Sequence, residues 1–400
     1  MNAEPAATIP APRSCPFAPP AEYERLREQS PVSRVTMPGG QPTWAVTRHE
    51  DIRAMLSDPR FSSDRRRPGF PSLFAGAHDD TSRAAPTMIT MDPPQHTQAR
   101  REVLGEFTVR RMQALRPRIQ EIVDRQLDLL TGGPRAADLV TALALPVPSL
   151  VICELIGVPY ADHDFFQDRS SRLLRHTTTG PERLQVRDDL AGYLRELLAR
   201  KMQNPGDDLL GRQIRKQQEA GDVRPADLIG LAFLLLIAGH ETTANMISLG
   251  VLALLEHPEV RQSVRDDPAK TPAAVEELLR YFSIVDMAVA RIATADVELG
   301  GVLIRAGEGA IALGSAANRD PAAFECPDEL DIDRRDRHHL AFGFGAHQCL
   351  GQNLARMELQ IVFDTLVRRL PDLKLAVPMR DVPFKDDALI YGAYELPVTW

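Results

Sequence analysis

The residues of this 400-residue chain with the plainest chemical purpose form the run Phe-Gly-Phe-Gly-Ala-His-Gln-Cys-Leu-Gly, Phe342 to Gly351. A good helical sequence follows it, from about Gln352 to Leu370. A cysteine just before a helix sets its sulfur near unpaired amides and the positive end of the helix dipole, which favours thiolate and therefore metal ligation. Gly343, Gly345 and Gly351 let the backbone fold tightly beneath Cys349 so that amides can point at the sulfur. Taken alone, the same residues also describe a glycine-rich turn around a buried, inert cysteine.

A second pattern, Ala238-Gly239-His240-Glu241-Thr242-Thr243, falls in the middle of a long apolar stretch. A glycine inside a helix costs about 0.5–1 kcal/mol relative to alanine, so Gly239 needs a reason, and close approach of a flat ligand with a local kink supplies one. Glu241 beside Thr242 offers an acid and a hydroxyl that could relay protons into an apolar pocket. The alternative is a polar break on a buried helix, with Thr242 bonded back to the preceding turn. Glu277 and Arg280, three apart on a helix, pair opposite charges, and an exposed pair of that kind has little value as a signal. His96 and Arg100 are four apart and share a helical face, the arrangement of an anion clamp or of ordinary solvated surface. His338 and His339 are adjacent, so their side chains diverge and a shared ion is not expected. They and His240 read as structural or exposed.

These residues need elements to hold them. Pro31 to Thr47 reads as a β-hairpin with glycines at its turn, followed by a Thr47/Glu50 capping box for a helix carrying Ile52, Met55 and Leu56. Phe61 to Thr90 is a long irregular stretch, which at that length is a functional lid or a misread element. From Pro94 onward apolar residues recur at helical spacing, including Met112, Leu115, Ile119, Ile122, Val123 and Leu127. Pro225 and Pro258 bracket a long helix from Pro225 to Glu256. Val289 to Leu313 and the last 25 residues read as short strands. The fold class is therefore mainly α with small β-sheets, and no linker divides the chain: one domain over residues 1–400, with residues 1–20 an extended tail.

Composition excludes several classes. Lys and Arg total 47 against 55 Asp and Glu, a net charge of −8, and the cations form no long block, so nucleic acid is not an expected partner. Four distant cysteines, Cys15, Cys153, Cys326 and Cys349, argue against a disulfide framework and for a reducing cytoplasm. The first twenty residues lack the basic start and apolar run of a signal peptide, and the longest apolar run, about twelve residues from Leu228 to Gly239, is shorter than the ~20 that span a bilayer. No membrane anchor is expected.

Phe342, Gly343, Gly345, His347, Cys349 and Gly351 match the form Phe-Gly-x-Gly-x-His-x-Cys-x-Gly, and on them the chain resembles the cytochrome P-450 superfamily of haem-thiolate monooxygenases. Residues 238–242 fit that family's (Ala/Gly)-Gly-x-(Asp/Glu)-Thr helix motif. The resemblance runs from Pro42–Asp64 to Tyr394–Trp400, and Ala144–Asp168 and His338–Arg356 are most similar to a soluble bacterial, actinomycete-type group. It implies haem b between the long central helix and the cysteine loop, with Cys349 as the axial iron ligand. It implies that His96, Arg100, Arg291 and His347 bind the haem propionates, and that Phe342, Gly343 and Gly351 shape the cofactor loop. Glu241 and Thr242 become the catalytic proton-delivering pair, and Glu277 and Arg280, joined by Arg334, a support beneath the haem.

The resemblance further implies dioxygen and NAD(P)H-derived electrons as co-substrates, with electrons arriving through a ferredoxin and ferredoxin reductase. Arg110, Arg111, Arg116 and Arg118 offer a docking surface for an acidic ferredoxin, or a solvated helix face. Pocket candidates are Arg83, Met88, Leu235, Ala238, Val285, Val289 and Ile390, mostly apolar. The expected activity is hydroxylation of a hydrophobic secondary metabolite such as a macrolide or other polyketide, by a cytoplasmic monomer. A broad xenobiotic or sterol hydroxylase comes second. A peroxide-driven enzyme or a passive haem protein fits less well, since neither needs an acid and alcohol pair.

Overall fold

The computed structural model describes residues 7–74 and 87–400. The axis of the fold is the helix Pro225–Glu256, which runs the length expected from its two flanking prolines. Leu236, Ile247, Leu249 and Leu252 on it are fully buried, and it packs against the helices Pro146–Ile156, Gly180–Gln203, Gln352–Arg369 and Thr271–Phe282. Burial on several sides explains its continuous apolar composition. Among the described residues it is the one helix long and apolar enough to cross a membrane. The helix Val109–Thr131 presents Met112, Ile119, Ile122, Val123 and Leu127 to the same core.

The β-structure flanks this helical body. A six-stranded sheet has the order Ala7–Thr8, Val32–Thr36, Pro42–Val46, Gly309–Ala312, Ala290–Ala293 and Phe61–Ser62. The expected hairpin is its centre, pairing Arg34 with Trp44 antiparallel. Trp44 then pairs in parallel with Ala310, and Ala310 pairs antiparallel with Arg291. A two-stranded ribbon, Val297–Leu299 with Val302–Ile304, turns at Gly300 and Gly301, whose φ of 56° and 77° are those of a tight hairpin turn.

Three local expectations differ from what is observed. Thr47 and Glu50 form no capping box: the helix starts at His49, Thr47 Oγ1 donates to Pro31 O at 2.9 Å, and the His49 amide donates to Asp320 Oδ2 at 3.0 Å. A carboxylate 271 residues away does the capping, which local pattern cannot reveal. The irregular stretch contains a short edge strand, Phe61–Ser62, and a 3₁₀ turn, Met88–Thr90. The last 25 residues are mainly loop, with Pro397–Thr399 the one strand and two isolated bridges, Phe384 with Ala393 and Ala388 with Arg175.

Candidate functional site

The cysteine loop is built by backbone bonds that only its glycines permit. Gly343 and Gly345 take φ of 68° and 72°, and a Cβ on Gly345 would lie 2.5 Å from Leu56 O. The Gly343 amide donates to Leu340 O at 2.8 Å, and the Cys349 amide donates to Phe342 O at 2.9 Å, closing the loop on itself. Gly351 has an ordinary φ of −84°, and no described atom lies near its Cβ position, so the tight-turn reason holds for the first two glycines and not for it. Cys349 is exposed by surface area, yet the nearby protein desolvates its thiol. Burial pushes its thiol up, against the Gly351 and Gln352 amides and the charges of Arg100 and Arg356, which pull it down. The amides expected to favour thiolate are present and are outweighed by desolvation; a bound metal cation would reverse that balance.

Around the loop stand the four residues expected to clamp an anion. His96 and His347 rings lie 4.0 Å apart, and His347 Nε2 meets Ser63 Oγ at 3.1 Å. His96 is 2% exposed, and neither ring nitrogen has a hydrogen-bond partner. Arg100 donates to Gln348 O at 2.7 Å, which ties its helix to the cysteine loop. Arg291 is buried, its side chain donates to Ala290 O at 2.8 Å, and desolvation lowers it to about 10. His347 is lowered to about 3, by burial first and then by Arg291, His96 and Arg100. Arg65, which sequence reasoning missed, adds a half-buried positive charge beside Arg291, and desolvation lowers it too. Nothing distinguishes Arg65 in sequence from Arg66, which pairs with Asp64, or Arg67, which bonds Ser62. None of Arg65, Arg100 and Arg291 has an ion-pair partner among the described residues. Desolvated cations and an orphaned imidazole beside a thiol are what a ligand with two carboxylates and a metal would satisfy, so the residues present fit a haem.

Glu277, Arg280 and Arg334 come together. Glu277 accepts from Arg280 at 2.7 and 2.8 Å and from Arg334 at 3.2 Å, all three buried. Arg280 also donates to Asn318 O, and Asn318 Oδ1 accepts from the Leu340 amide at 2.8 Å. That chain of bonds connects the ion pair to the start of the cysteine loop. His339, expected to be structural or exposed, is structural: Nδ1 accepts from the Ala341 amide, and Nε2 meets Glu276 at 3.1 Å. Arg356 holds the same carboxylate at 2.6 and 3.0 Å and lies 4.5 Å above Phe342. His338 stacks on Phe324 and His240 is buried against Phe166. No metal-binding cluster of His, Cys, Asp and Glu occurs among the described residues.

On the central helix the structure adds to two expectations. The helix is continuous through Gly239, and a Cβ there would lie 2.6 Å from Ile152 Cδ1. The glycine therefore serves close packing against Pro146–Ile156. Ala238 is exposed although it lies in the middle of a core helix, and Thr242 donates to Ala238 O at 2.9 Å. Glu241 is buried and accepts from Lys385 Nζ at 2.6 Å, a partner no local pattern indicates because it lies 144 residues away.

Of the pocket candidates, Leu235, Val285 and Ile390 belong to or border the main core, whereas Val289 borders the sheet cluster. Met88 is buried in the 3₁₀ turn packed against the central helix. Arg83 lies outside the described residues. Of the proposed docking arginines, Arg118 is held by Glu154 and Glu121, Arg111 by Glu106, and Arg116 by Gln360.

A family model described as cytochrome P-450 matches residues 185–388. The chain is 50% identical to vitamin D3 dihydroxylase of Streptomyces griseolus, over 99% of this chain and 97% of that protein. The crystal structure of cytochrome P-450 MoxA from Nonomuraea recticatena superposes with a TM-score of 0.91 at 57% identity, covering 98% of each chain. The mycinamicin VIII C21 methyl hydroxylase of Micromonospora griseorubida, solved with mycinamicin VIII bound, gives a TM-score of 0.92 at 41% identity, covering 98% of this chain and 100% of that one.

Proposed function

Because the chain belongs to the cytochrome P-450 family and is a monooxygenase of that family, we propose that it hydroxylates a hydrophobic secondary metabolite, using haem b, dioxygen and electrons from NAD(P)H delivered by a ferredoxin and its reductase. The observation that carries this reading is the convergence of His96, Arg100, Arg291 and His347 on the Cys349 loop with no ion-pair partner among the described residues, Asp92 acting on His96 and Arg291 only from a distance. Bound there, the haem supplies activation of dioxygen and transfer of one oxygen atom into a C–H bond.

The chain's own residues divide the remaining tasks. Cys349 is the iron ligand, and the loop that Gly343 and Gly345 shape, with Phe342 at its start and Gly351 at its end, orients the sulfur. His96, Arg100, Arg291 and His347 hold the propionates, and their suppressed basicity recovers when those charges are paired. Glu277, Arg280 and Arg334 keep the loop in register. Thr242 and Glu241 hold and pass protons at their side-chain oxygens, and this pair favours the dioxygen route over peroxide. Met88, Leu235, Ala238, Val285, Val289 and Ile390 exclude water and orient an apolar substrate, with Arg83 meeting a polar group on it.

A macrolide or related polyketide is the preferred substrate class, in keeping with a relative named for hydroxylating mycinamicin VIII. A broad sterol or xenobiotic hydroxylase is the second reading, supported by the relative named for vitamin D3. The catalytic unit is one domain over residues 1–400, acting as a cytoplasmic monomer, in keeping with four unpaired cysteines. The experiment is reconstitution with ferredoxin, reductase and NAD(P)H over a panel of macrolides and sterols under isotopically labelled dioxygen. Label in the product, dependent on ferredoxin, is expected. Equal turnover with hydrogen peroxide alone and no response to ferredoxin would overturn the electron route.

A further inference from the structure

Glu241 and Thr242 are adjacent in sequence, so they point about 100° apart around the central helix. Thr242 bonds back to Ala238 O, whereas Glu241 shares its face with Asn245, one turn on, and meets the carboxy-terminal loop. Lys385 Nζ donates to Glu241 Oε1 at 2.6 Å and to Asn245 Oδ1 at 2.9 Å. The two charged side chains are only 6–7% exposed. The loop that carries the lysine is held against the helix: the Lys385 amide donates to Gly392 O at 2.9 Å, and a Cβ on Gly392 would lie 2.3 Å from Asn245 Oδ1.

A carboxylate this deeply buried takes up a proton unless a positive charge accompanies it. Of the other charged groups around the loop, Arg175 lies 5.0 Å from the Tyr394 ring and Asp387 accepts from the Tyr394 hydroxyl, and neither forms an ion pair with Glu241 among the described residues. His240, on the same helix, is kept neutral by burial, and the Tyr394 phenol on the loop is pushed up to about 12 and stays protonated. We propose that Lys385 is the positioning residue of Glu241: it pairs with the acid and turns it toward the loop, so that the loop at residues 383–394 governs when Glu241 can carry a proton. This rests on the reading of Glu241 as a proton carrier.

Infrared spectra of the holoenzyme test it through Lys385→Met, Lys385→Arg, Glu241→Gln and the Lys385→Met/Glu241→Gln double variant. Lys385→Met is expected to gain the carbonyl band of a protonated carboxylic acid, which the double variant lacks and Lys385→Arg does not gain. In parallel, hydrogen peroxide released per NAD(P)H oxidised should rise several-fold in Lys385→Met and Glu241→Gln and stay near the parent value in Lys385→Arg. If Glu241→Gln leaks peroxide but Lys385→Met neither leaks nor gains the band, the positioning role is wrong. If Glu241→Gln itself behaves as the parent, the proton-carrier reading fails and the inference with it. Should Lys385→Met not fold, Lys385→Gln, which keeps a bond to Asn245 without the charge, is read by the same two outcomes.

Discussion

His347 and His96 sit among Arg100 and Arg291, and that neighbourhood makes a pH-dependent strain in the haem-free chain. The folded His347 ring is lowered to about 3, mainly by burial, while an unfolded histidine titrates near 6.5. Below about pH 6.5 the unfolded chain therefore binds a proton that the folded chain refuses, and stability falls as pH drops toward the folded value. Chemical unfolding of the haem-free chain followed from about pH 7 to about pH 4 should show this decline, with a shallower slope in His347→Gln. Identical slopes would contradict the assignment. At this scale the sequence is legible where spacing is local. Cys349 and His347 declare themselves within ten residues, whereas the Glu277/Arg280 pair gains its meaning only through the family resemblance. Lys385, Arg65 and the capping Asp320 do not, because their importance lies in contacts made across the fold.

Among the elements, the central helix is read correctly from Pro225 to Glu256, but the close packing at its glycine is not legible in the sequence. Helical periodicity tells which face is buried and nothing about how near the next helix comes. Gly239 lets Ile152 approach to a distance a methyl group would occupy. Gly239→Ala should therefore destabilise by about 1–3 kcal/mol through overpacking, more than the helix propensity it gains. Ile152→Ala removes Cδ1 and Cγ1, the two atoms within 3.0 Å, and should recover part of that loss in the double variant. Unfolding midpoints of the four proteins in the cycle measure this, and strictly additive effects would mean that the two residues do not collide. The cysteine loop shows the complementary case, where Gly343 and Gly345 were readable from the turn they make while Gly351 proved conformationally ordinary.

For the whole molecule, the family was legible because its motifs are short, specific and spread from the hairpin to the last strand. The helical body, the flanking sheets and the ion-pair support under the loop all follow that plan. The cationic docking surface is less simple than composition suggested, since Arg111, Arg116 and Arg118 already have partners on the protein. The account depends most on one bond, between Cys349 and a haem iron. The measurement that tests it most directly is the carbon monoxide difference spectrum of the dithionite-reduced protein beside Cys349→Ala. A strongly red-shifted Soret band in the parent, lost in the variant, is the predicted result. An unshifted band in both proteins would show that Cys349 is not the ligand and would contradict the monooxygenase chemistry assigned to this site.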